Sequence, residues 1–145
     1  MNIPANNKFL YFRVAASAAA EDDEATGSTM YPVSAIRGIC SGTSDQKGAV
    51  TDDADAFSIF LEPKASTGSG GDADDAQGDN VDVVIIGHTT DNNQKAVMDA
   101  LINEIVFGND AIITVFDGGA GGAASKLHSD IVISECSILH VENAD

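Results

Sequence analysis

The chain has 145 residues, 43% apolar and 21% charged, and its 23 acidic against 7 basic side chains give a formal net charge of −16. The length suits a single domain over residues 1–145, the apolar fraction excludes wholesale disorder, and the charge excludes a nucleic-acid binder, whose footprint would be basic. No apolar run approaches the ~20 residues that cross a bilayer, and Met1–Asn7 lacks the basic start of a secretory signal, so the chain is expected to be made in the cytoplasm and used there or carried out within an assembly.

Lys8–Val14 is rich in aromatic and β-branched residues and reads as the first strand, with Leu10, Phe12 and Val14 toward the core. Residues 15–29 are small and acidic, with Glu21-Asp22-Asp23-Glu24 at their centre, and read as an exposed loop. Tyr31–Cys40 reads as one strand, with Pro32 at its start or on an edge because proline cannot donate to a ladder. A polar stretch over 41–55 carries Asp52, Asp53 and Asp55. Ala56–Glu62 is a third strand, with Phe57, Ile59 and Leu61 on one face, and Pro63 stops it. Residues 64–80 combine glycine with Asp72, Asp74, Asp75 and Asp79, the composition of a long loop.

Val81–Gly87 then reads as a mostly buried strand. One segment has helical spacing. Asp91 and Gln94 resemble a capping box, Val97, Met98, Leu101, Ile102 and Ile105 form an apolar face, and Gly108 is placed to end the helix in a left-handed conformation. The expected helix runs from Asn92 to Phe107. Ala111–Phe116 is the next strand, and Asp130–His140 the last, with a bend near Glu135. The fold class is therefore α+β and β-dominated: an antiparallel sandwich or barrel of about six strands, with one helix between strands 4 and 5. The expected core is Leu10, Phe12, Phe57, Ile59, Leu61, Val84, Ile86, Val97, Leu101, Ile105, Ile113, Val115, Ile131 and Ile133. No internal repeat is present.

Chemical motifs are scarce. Gly118-Gly119-Ala120-Gly121-Gly122 follows a strand, but Ser125-Lys126 is in the wrong order for a phosphate loop and no helical pattern follows. The stretch from Asp72 departs from a calcium loop at its sixth residue, Gln77, and its twelfth, Val83. His88, His128 and His140 show no metal-binding spacing, and no nucleophile elbow or Cys–His signature occurs. Cys40 and Cys136 lie in strand-like runs and read as small buried hydrophobes rather than a disulfide. The best local candidate is His88 with Asp91 at the helix start, whose simplest role is capping. The expectation is no enzyme, no catalytic residue, no metal and no cofactor. The seven basic residues form no stripe, and the helix carries Lys95 alone against Asp99 and Glu104, so neither nucleic acid nor membrane is an expected partner.

Four phrases carry a resemblance: Lys8–Arg13, Met30–Gly38, Lys95–Asn103 and Ala111–Asp117, with the acidic loop between the first two. In this order they resemble small virion structural proteins of marine tailed bacteriophages. The resemblance implies a non-enzymatic subunit in many copies, located in the virion. It would be a capsid decoration, cement or shell protein whose partners are itself, as a symmetric homo-oligomer, and a major capsid protein. A tail-tube subunit is the alternative within that class. A small ligand- or carbohydrate-binding β-domain is the alternative outside it.

Overall fold

The first strand forms where the sequence alternates most clearly: along β1 (Phe9–Arg13), Leu10 and Phe12 are buried while Phe9 is exposed. The computed structural model describes residues 3–14, 28–42, 55–62, 81–88, 94–118, 127 and 133–141. β1 is the centre of a three-stranded sheet. On one side it pairs antiparallel with β2 (Ser28–Pro32). On the other, β6 (Ile112–Asp117) pairs with it in parallel. A second sheet has the order β3–β4–β5–β7 and is antiparallel throughout, with β3 Ile36–Ser41, β4 Ala56–Leu61, β5 Val81–His88 and β7 Ile133–Val141. The single helix, α1 (Gln94–Phe107), follows β5.

The expected second strand is in fact two. A single 3-10 turn, Val33–Ala35, separates β2 from β3 and hands the chain from one sheet to the other. Pro32 stands just before that turn with φ −62°, the value its ring imposes. The strand count is therefore seven among the described residues, and the helix sits after the fifth. Ser28 and Thr29, assigned above to a loop, are the first residues of β2, and Ser41 completes β3. Gly42 follows with φ 82°, a left-handed conformation that glycine adopts without steric cost. The sheets do not close into a barrel, and the β1–β6 pair departs from a fully antiparallel pattern. The remaining expected loop over 64–80, the end of the strand at Asp130 and the capping residue Asp91 lie outside the described residues.

One hydrophobic cluster draws on both sheets and the helix. Of the fourteen expected core residues, thirteen are buried in it, and Ile131 lies outside the described residues. The helix contributes Val97, Leu101 and Ile105, spaced i, i+4, i+8. Ile102, expected on the same face, is exposed because it lies one residue round the helix from Leu101. β5 is buried on both faces. Val84 and Ile86 enter the main cluster, while Val83 and Ile85 join Ala56 in a smaller one, which explains the near-continuous apolar run in its sequence. The bend expected near Glu135 is a register shift: Gly87 pairs with Glu135 but His88 with Ile133, so Ser134 is the extra residue on β7. Cys136 is buried as expected; Cys40 is exposed, on edge strand β3, and both are free.

Candidate functional site

Three buried polar arrangements and one exposed apolar face stand out from this framework. Lys8 is the first. Strand alternation places it with Leu10 and Phe12, facing inward, and its side chain is fully buried. Its Nζ donates to the carbonyls of Glu104 at 3.3 Å, Ile105 at 2.7 Å and Gly108 at 2.6 Å. A lysine has three N–H donors, and here all three meet carbonyls at the C-terminal end of α1, where the helix leaves such groups unsatisfied. The helix dipole favours a cation at this end. Gly108 closes the same turn by donating its N–H to Glu104 O at 2.9 Å. Its φ is not left-handed, contrary to the expectation above. Glycine is needed there instead because a Cβ would overlap the carbonyl and carboxylate of Glu104.

The second arrangement ties the sheets together. Tyr31 on β2 donates its hydroxyl to Asp82 Oδ2 on β5 at 2.5 Å, and both side chains are buried. Burial raises the Tyr31 hydroxyl pKa far above the usual tyrosine range, and the hydrogen bond and charge of Asp82 raise it further; Thr29 acts weakly in the opposite sense. Burial likewise pushes the Cys136 thiol well up, which marks it as an inert packing residue. Tyr31 also lies edge-on to Phe12, with ring centroids 6.4 Å apart.

The third is His88, buried at the end of β5 with its ring centroid 6.4 Å from that of Phe57. Its candidate partner Asp91 and the second histidine, His128, lie outside the described residues. His140 is on β7 as the register partner of Asp82, six residues along β5 from His88. At the rise of a strand that is about 20 Å, so β5 and β7 hold these two histidines at opposite ends of the pair. Among the described residues no group of three His, Cys, Asp or Glu side chains is placed to hold a metal ion. None of their helices is long and apolar enough to cross a membrane.

The exposed face belongs to the outer side of the three-stranded sheet. Register aligns it in rows. Pro32, Phe9 and Ile112 form one row, and Met30, Tyr11 and Thr114 the next. The third row, Ser28, Arg13 and Asp117, is polar, with Arg13 and Asp117 paired at 3.7 Å. Phe9 is 41% exposed, Met30 42% and Ile112 50%. Sequence reading placed Phe9, Tyr11 and Arg13 together on the face away from the core. The sequence alone leaves Met30 outside the expected strands and gives Ile112 a strand but no face, so it does not bring either beside them.

No protein-family profile, curated protein or solved structure matches the chain.

Proposed function

We propose that the chain is a non-enzymatic structural subunit of a bacteriophage virion, a capsid decoration, cement or shell protein present in many copies. The observation that carries this reading is where the four resembling phrases fall. Lys8–Arg13 supplies β1 and the buried lysine, Met30–Gly38 runs from β2 through the turn into β3, Lys95–Asn103 lies within α1, and Ala111–Asp117 contains β6. Phrases far apart in the chain thus meet in one sheet, where β1 lies between β2 and β6. A likeness confined to these phrases is a likeness of one spatial unit. The finer architecture that goes with this reading is a sandwich, the two sheets lying either side of the shared core.

Subunits of a shell associate around symmetry axes, and the reading includes a symmetric homo-oligomer that contacts a major capsid protein. Mass spectrometry of purified particles tests it. The chain should be present at a copy number that is a multiple of the oligomer size, and labelled antibody should decorate heads. Label on tails alone would move the assignment to the tail tube. Absence from particles, together with a monomer in light scattering, would leave the ligand-binding β-domain.

A further inference from the structure

The outer face of the three-stranded sheet exposes two apolar rows in which Phe9, Met30 and Ile112 are each between 41% and 50% accessible. A further observation bears on what covers them. The chain has almost no cationic charge to spare. Lys8 is spent on α1, Arg13 is paired with Asp117, Arg37 with Glu62 at 3.2 Å and Lys95 with Asp99. Of the seven basic residues this leaves Lys47, Lys64 and Lys126, outside the described residues, against a net charge of −16. A second copy laid on this face would bring the same excess of negative charge and few cations to offset it. A foreign surface with a basic border would gain on both counts, through apolar contact with the rows and attraction to the chain's net negative charge.

We infer that this face is a docking surface for another protein, one whose contact patch is apolar and bordered by lysine and arginine. Phe9, Ile112 and Met30 are the anchors, Tyr11 and Thr114 fill between them, and the Ser28–Arg13–Asp117 row marks the polar limit of the patch. The inference rests on the chain's own residues and holds whichever assembly the chain serves.

The test uses the full chain and two synthetic strand peptides as probes. Both alternate leucine with threonine; one is flanked by lysines and the other by glutamates. Fluorescence anisotropy should show the lysine-flanked peptide binding, and the glutamate-flanked one at least about tenfold more weakly. Binding should weaken as salt rises from about 0.05 to 0.5 M. Phe9→Ser/Ile112→Ser should lose about tenfold or more in affinity. Ile102→Ser/Val106→Ser, on the exposed side of α1, should keep it. If the first variant melts early, Met30→Ser on edge strand β2 carries the same expectation.

Retained affinity in the sheet-face variants, loss in the helix variant, or indifference to the sign of the flanks would each overturn the inference. So would a wild-type dimer that Phe9→Ser/Ile112→Ser dissociates, since a second copy would then be the occupant. Particle mass spectrometry is read independently, so either proposal can fail alone.

Discussion

A buried lysine and a buried tyrosine–aspartate pair tie parts of this fold that are far apart in sequence. Lys8 reaches across 97 residues of sequence to the end of α1. Lys8→Met keeps the length of the side chain but leaves helix carbonyls without their donor, so it should cost about 1–3 kcal/mol in denaturant unfolding. Tyr31→Phe removes the hydroxyl that links β2 to Asp82 on β5 and should cost a similar amount, about 1–3 kcal/mol. It should also change the pH profile. In the folded chain the Tyr31 hydroxyl stays protonated well beyond its ordinary range, so above about pH 10 the unfolded state releases a proton that the folded state keeps. Stability is therefore fully present below about pH 10 and declines as pH rises beyond it. Melting temperatures from pH 7 to 11 should show that decline in the wild type and a shallower one in Tyr31→Phe. Neither feature was legible beforehand. A lysine in an aromatic strand reads as a surface residue, and nothing in the local sequence reveals that a helix will end above it.

At the scale of elements, sequence pattern was most informative where burial imposes a simple period. The strands Phe9–Arg13 and Ala56–Leu61 and the end of the helix at Phe107 follow from alternation or helical spacing, and so do the main-core positions Leu10, Phe12, Phe57, Ile59 and Leu61, though not the burial of Ala56 and Ser58 on the other face of the second strand. The pattern misled where one apolar run serves two sheets. Tyr31–Cys40 keeps its β-forming composition through the 3-10 turn, so composition alone could not reveal the switch. The helix yields two predictions. Leu101, fully buried between the sheets and the helix, should cost about 2–5 kcal/mol as Leu101→Ala, through lost contacts and the cavity left behind. Gly108→Ala should cost about 1–3 kcal/mol, since the added carbon would force the backbone of the last turn to shift. Chemical denaturation checks both, and an unchanged midpoint for Gly108→Ala would show that the turn can relax freely.

Across the whole molecule, a net charge of −16 sets how the chain meets other surfaces. Two copies repel until salt screens them, whereas a basic partner is attracted until salt screens it; the Debye length is about 10 Å at 0.1 M. Self-association followed by analytical ultracentrifugation should therefore strengthen as salt rises from about 0.05 to 0.5 M, the opposite of the trend expected for the basic partner. The candidate surface was only partly visible in the sequence for a related reason. Phe9 and Tyr11 announce an outward row on β1, but the row is completed by β2 and by β6, and only the topology brings Ile112 to Phe9.

That parallel pairing also sets an order of events during synthesis. Phe9 has its β6 partner at Ile112, so at roughly 5–20 residues per second the first strand waits about 5–20 s on the ribosome before the last strand of its sheet emerges. Lys8 waits about as long for the end of α1. Through that interval β1 can hold only its antiparallel neighbour β2, and its other edge, with Lys8 still hydrated, is open to whatever else the cell offers.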